Sequence, residues 1–277
     1  MGLRINTNVP SLSAQRTLQV NNQNQERTLE RLSSGSRINR SADDAAGLAI
    51  SEKLKSQIRS VNQAERNAND GISMIQVAEG GLNEISNIMT RLRELSIQAA
   101  TDTVGDSERQ FVNLEYQNLK QEVQRISQVT EFNGRKLLDG SQEKYQFQIG
   151  INNNDFEDRI DYKAQVTNST LAGLGVDEIS VDKKEGAQMS LAKLDSAITN
   201  ISGQRAELGA VQNRLASTVT NLQFLSENLS SANSRIRDTD YAKQTATNTK
   251  LNILTNAGTS VLGQANQSAG SALKLLG

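Results

Sequence analysis

The side chains that most often carry out chemistry are missing from this sequence. Its 277 residues contain no histidine and no cysteine. Without imidazole there is no ordinary general base near neutral pH, no serine–histidine triad, and none of the commonest metal ligand. Without thiols there is no disulfide framework, thiolate nucleophile or sulfur-ligated metal. An H-E-x-x-H metallopeptidase site is therefore excluded. Carboxylates remain, but the 31 Asp and Glu are interspersed with 30 Lys and Arg, for a net charge of -1. That balance offers no basic stripe for nucleic acid and no polybasic anchor for a membrane. The sequence assigns no catalytic, cofactor-binding or metal-ligating residue, and no enzyme activity. The chemistry left to look for is that of association.

The elements that would position an associating surface are helices. Aromatics make up 3% of the chain, Trp is absent and Pro occurs once. With a mean hydropathy of -0.53, this composition favours long helices over a core built on large rings. Val211, Leu215, Thr218, Leu222, Leu225, Leu229, Ala232 and Ile236 recur at steps of four and three, on one helical stripe. Such a seam demands another helix along it, since fully burying one Leu contributes roughly 1.5–3 kcal/mol.

The chain supplies partners. Ile5, Val9 and Leu12 keep helical spacing around Pro10, which a first helical turn tolerates, and Leu18, Leu29 and Leu32 continue to a break at Gly35. Ser41 is the expected cap of a second helix, with Asp43 and Asp44 in its first turn. Its stripe runs from Leu54 through Ile58, Val61, Ile75, Leu82, Ile85, Leu92 and Leu95 to Ala99, with a bend or close contact expected at Gly71, Gly80 and Gly81. A third helix carries Val112, Tyr116, Leu119, Val123 and Ile126 and ends near the turn pair Asn133-Gly134. From Tyr145 the period becomes two. Tyr145, Phe147, Ile149 and Ile151 face Ile160, Tyr162, Ala164 and Val166 across an Asn-rich turn, and Phe156 joins these aromatics in an expected local cluster. Helix resumes near Ala187, runs into the seam, and continues beyond Asp238 with Leu251, Leu254, Val261 and Leu275 on a stripe. The expected fold is mainly α: a long antiparallel helical bundle or coiled coil, with terminal helices paired and a small β-hairpin region at about 134–182.

The two ends share an unusual surface. Residues 1–25 carry only Arg4 and Arg16 as charged side chains, and residues 251–277 carry only Lys274. Small apolar residues there alternate with Asn, Gln, Ser and Thr, a composition that suits either a helix sheathed by protein or a disordered polar tail. The start lacks the apolar run of a signal peptide and no stretch suits a membrane span, so export without a cleavable signal, or residence in the cytosol, is expected. Asn168-Ser169-Thr170 and Asn200-Ile201-Ser202 match the glycosylation sequon, a pattern short enough to arise by chance.

Several segments resemble the terminal regions of bacterial flagellin. They are Ile5-Asn6-Thr7-Asn8, Arg31-Leu32-Ser33-Ser34-Gly35, Arg37-Ile38-Asn39, Asp43-Asp44-Ala45-Ala46-Gly47, Arg66 to Ser73, and Arg235-Ile236-Arg237-Asp238-Thr239-Asp240-Tyr241-Ala242. The resemblance covers roughly 1–140 and 187–277. It implies a filament subunit lacking large outer domains, with an inner coiled-coil layer from 1–42 and 236–277 and a helical domain from 43–235. It implies an extracellular filament of many copies, exported unfolded, with an export chaperone, a filament cap and hook-junction proteins as partners. The residues implied in polymerisation are Ile5, Val9, Leu12, Leu29, Leu32, Leu222, Leu225, Leu229, Ile236, Leu251, Leu254, Val261 and Leu275. By local match, Arg91, Leu95 and Glu115 resemble the centre of the surface read by the vertebrate Toll-like receptor that detects flagellin. Without the resemblance, Leu95 reads as seam packing and Arg91 and Glu115 as an exposed interhelix ion pair. The alternatives are a hook–filament junction protein and a non-polymerising coiled-coil adaptor.

Overall fold

A computed structural model of the chain describes residues 7–274. The elements are helices α1 (Val9–Ser34), α2 (Ala45–Ala99) and α3 (Asp106–Val129), strands β1 (Glu131–Phe132), β2 (Arg135–Lys136), β3 (Tyr145–Gln148) and β4 (Arg159–Tyr162), a 3₁₀ turn (Ala164–Thr167), and helices α4 (Leu171–Leu174), α5 (Lys184–Arg237) and α6 (Tyr241–Lys274). They form two compact units. One takes Met1–Gln57 with Asn228–Gly277, the other Ile58–Glu227.

In the terminal unit, α1 starts where Asn8 accepts the Ser11 amide at 3.1 Å and Pro10 occupies the first turn; it stops at Gly35, whose φ of 67° favours glycine. Helix α2 is capped by Asp44 rather than Ser41, because the Asp44 carboxylate accepts the Gly47 amide at 2.8 Å. Asp43 lies before the helix and accepts the Asn39 and Arg40 amides at 3.2 and 3.1 Å. Those amides, Arg40's foremost, hold its carboxyl below the usual range. The break after α1 lies against the break after α5. Arg37 donates its amide to Arg237 O at 2.6 Å, Thr239 donates to Gly35 O at 2.9 Å, and Ser36 bridges Asp238.

In the larger unit, α2, α3 and α5 enclose the core. Ile75, Leu82, Ile85, Met89, Leu92, Tyr116, Val123, Leu194, Ile201, Leu208 and Leu215 are all fully buried. The expected stripes of α2 and α3 supply it, and so does the first half of the seam. The second half is different: Val211, Leu215 and Leu222 are buried, but Leu225 is exposed and Leu229, Ala232 and Ile236 only half-buried. Helix α2 runs unbroken past its glycines. Gly71 meets Phe147 and Gly81 meets Leu138 and Thr130, so these two mark close contacts rather than a bend, while Gly80 faces open space.

Asn133 and Gly134, both with positive φ, make the tight turn of the β1–β2 hairpin. Strands β3 and β4 pair antiparallel, Tyr145 opposite Tyr162 and Phe147 opposite Ile160. The two tyrosine rings stack 6.0 Å apart. The second strand is shorter than its alternation suggests, because the chain enters a 3₁₀ turn at Ala164, where Thr167 donates to Ala164 O and bonds the Tyr162 hydroxyl. Phe156 does not join the aromatic cluster. It stands at the turn between the strands, 93% exposed.

Candidate assembly surface

Within the terminal unit, α1 and α6 pack against each other. Asn8 donates to Ala265 O at 2.9 Å, Ser11 donates to Asn266 at 2.9 Å, and Gln25 donates to Asn252 at 2.6 Å. Gly258 lies so close to Leu18 that a Cβ there would sit 3.0 Å from its methyl. The buried residues of α1 are Ser11 and Thr28. Most of the large apolar side chains point the other way. Val9, Leu12, Val20 and Leu29 of α1, and Ile253, Leu254 and Val261 of α6, are exposed, whereas Leu251 is buried and Leu32 half-buried. The ordinary amphipathic rule is therefore largely inverted: polar groups join the two helices beside the Leu18–Gly258 contact, and most of the large apolar side chains face outward. Ile5 and Leu275 lie outside the described residues.

In the larger unit, Arg91 reaches across from α2 to α3. Its Nη2 is 2.9 Å from Glu115 Oε1 and its Nη1 3.0 Å from Glu94 Oε2, with all three side chains about half exposed. These carboxylates, Glu94 first, raise the guanidinium pKa. Leu95, one turn on, is buried in the core. The surface at this point consists of Arg91 and Glu115, with Leu95 beneath it. Arg93 ties α2 to α5 through Asp195 at 2.6 Å.

Some buried polar groups are missed by apolar periodicity. Arg109, 7% exposed, donates Nε to Ala99 O and Nη2 to Thr101 O, both at 2.9 Å, and so closes the end of α2. On α3, Asn113, Gln117, Lys120 and Gln124 form a polar row at helical spacing. Asn113 accepts the Val181 amide, Gln124 accepts the Leu171 amide, and Lys120 donates to Asp177 O and Ile179 O. Burial pulls the Lys120 pKa down. The signal for this row was present in the sequence, as polar residues repeating beside the apolar stripe. Asn168 of the first sequon is used internally, accepting the Thr170 amide and hydroxyl and packing against Gly140 and Gly173.

Among the described residues there is no group of acidic side chains able to hold a metal ion, and no helix long and apolar enough to cross a membrane. What the geometry offers is surface for association: a helical structural protein whose terminal pair turns its apolar residues outward. The bacterial flagellin N-terminal helical region matches residues 5–143, and the bacterial flagellin C-terminal helical region matches residues 191–276. Flagellin of Halalkalibacterium halodurans is 42% identical over 272 residues, covering 98% of this chain and 99% of that protein. Flagellin of Bacillus subtilis is 42% identical over 313 residues, covering 99% and 100%. The crystal structure of Bacillus cereus flagellin matches with a TM-score of 0.50 at 29% identity, over 57% of this chain and 88% of that one. The chain belongs to the bacterial flagellin family. It is a structural subunit of the flagellar filament and not an enzyme.

Proposed function

We propose that polymerisation is carried by the outward apolar faces of α1 and α6, sheathed by the same faces of neighbouring subunits, so that 1–42 and 236–277 form the inner layer of the filament. The observation that carries this reading is the inversion. Val9, Leu12, Leu29, Leu254 and Val261 are exposed in a helix pair whose buried α1 residues are Ser11 and Thr28. Burial of those residues between copies couples ordering of the ends to assembly. Ile5, Leu32, Leu222, Leu225, Leu229, Ile236, Leu251 and Leu275 extend the same proposed seam. Truncation of Leu251–Gly277 is expected to leave a soluble helical chain that no longer forms filaments. Filaments of the truncated chain in electron micrographs would refute the reading.

Export as an unfolded chain, with an export chaperone, a filament cap and hook-junction proteins as partners, accompanies this role. The receptor surface is proposed to centre on the exposed Arg91 and Glu115, with Leu95 supporting the helix from below. Arg91→Ala is then expected to weaken receptor activation more than it weakens folding, because a solvent-exposed ion pair contributes little to stability.

A further inference from the structure

Phe156 is 93% exposed on a turn that is firmly held. Asp158, itself buried, accepts the Asn152 and Asn154 amides at 3.2 and 2.9 Å. Arg159 bonds Asp155 and Asn153 and donates to Gln148 at 3.0 Å, while the Phe156 amide donates to Asn154 at 3.1 Å. The ring is thus displayed by an ordered scaffold, and Glu157 beside it makes no ion pair among the described residues. Elsewhere in the same unit is a surface cavity of about 340 Å³ lined by Leu174, Gly175, Ala192, Lys193 and Ser196. It is an open depression with Leu174 and Ala192 as its apolar lining, and in Lys193 an ammonium with no carboxylate partner among the described residues.

We propose that the Phe156–Glu157 tip of one copy docks into the Leu174–Ala192–Lys193 cavity of a neighbouring copy, ring into cavity and Glu157 carboxylate on the Lys193 ammonium. The tip shares its own cavity wall with Asn213 and Arg214. Lys193 and Arg214 are both on α5, roughly 30 Å apart at 1.5 Å per residue, so one copy cannot satisfy its own contact. A contact between two different patches of the same chain is heterologous, and repeated it makes an open series rather than a closed pair. That is what a filament subunit requires, and the inference rests on that reading. Phe156, Glu157, Leu174 and Gly175 also fall between the two family-matched regions, so the shared ends do not account for them.

The absence of native cysteine makes the test direct. Subunits carrying Glu157→Cys with Lys193→Cys are polymerised, treated with a short bismaleimide that makes up the reach lost with the two long side chains, and run on a denaturing gel, with each single variant alongside. A ladder extending beyond the dimer, present in filaments of the double variant and absent from both singles and from dilute subunits, is the expected result. Filaments that stay monomeric on the gel, or dimers from Glu157→Cys alone, would overturn the contact. Should the double variant not polymerise, Phe156→Ser decides: the soluble concentration left after seeding is expected to rise roughly tenfold, and an unchanged value overturns the proposal. Failure of the unmodified chain to polymerise refutes the filament reading, and this contact with it.

Discussion

The inverted helix pair makes a prediction in which folding and assembly separate cleanly. Leu12 is 57% exposed and Leu29 45% exposed. Full burial of a leucine contributes roughly 1.5–3 kcal/mol, so about half of that, near 1 kcal/mol each, is still to be gained when a neighbour covers the side chain. The two lie about 25 Å apart along α1, far enough for their effects to add. Leu12→Ala with Leu29→Ala should therefore cost about 2 kcal/mol per subunit added, a rise of roughly thirtyfold in the soluble concentration at equilibrium with filament. Alanine is as good a helix former as leucine, so α1 itself is not weakened.

Leu194 is the control. It is fully buried in the larger unit, and Leu194→Ala should cost about 2–5 kcal/mol of folding stability through lost contacts and a residual cavity. The assay is paired: sedimentation of seeded filaments gives the soluble concentration, and urea unfolding of dilute subunits followed by circular dichroism gives stability. The double α1 variant should move the first and hardly the second. An unfolding midpoint lowered as far as by Leu194→Ala would show that Leu12 and Leu29 are packed within the subunit. An unchanged soluble concentration would show that no neighbour covers them. Either result refutes the reasoning.

Further outcomes are expected from single sites. Gly80 faces open space in mid-helix, so Gly80→Ala should stabilise by about 0.5–1 kcal/mol, whereas a Cβ at Gly81 would lie 2.8 Å from Leu138 and Thr130 and Gly81→Ala should destabilise; urea midpoints compare the two. Arg109→Met removes the donors from Ala99 O and Thr101 O and should cost roughly 2–3 kcal/mol, seen as early amide exchange at the end of α2. Asp43, Asp102 and Asp195 are held below the usual carboxylate range, chiefly by the Arg40 amide, Lys184 and Arg93 respectively. Their contribution is complete above the unfolded value near pH 4 and is lost as pH falls through the depressed folded values. Helicity should fall on acidification below about pH 4, and Asp43→Asn should make that fall shallower; an identical acid titration would count against the Asp43 turn.

Apolar periodicity located α2, α3 and most of α5, because each buries one stripe against two others and leaves the rest of its surface charged. It placed the Asn133-Gly134 turn for a local reason, since both residues take the positive φ that the hairpin demands. It misplaced the start of α2, where two acidic residues and a serine all suit a cap and only geometry chooses Asp44. It also put Phe156 in a cluster on the strength of residue type, although the ring's position is set by Asp158 and Arg159 pulling the turn tight beneath it.

The terminal pair shows the limit most clearly. A stripe of Leu and Val states that a face will be buried, but not whether the covering surface belongs to the same molecule. In α5 the stripe divides at about Leu222: the first half meets α2 and α3, and the second half is left partly open. In α1 the stripe is split: Val9, Leu12, Val20 and Leu29 are exposed and Leu18 and Leu32 half-buried, and the contact with α6 is made by Asn8, Ser11 and Gln25 together with Leu18 against Gly258. Hydrogen bonds of this kind contribute about 0.5–1.5 kcal/mol each and leave an isolated pair marginal. The exposed leucines and valines hold most of the apolar burial still to be gained, and under the proposed function neighbouring copies supply it. A helix pair joined largely by polar groups, with most of its leucines and valines left outward, is on that proposal one that reaches full stability in the polymer.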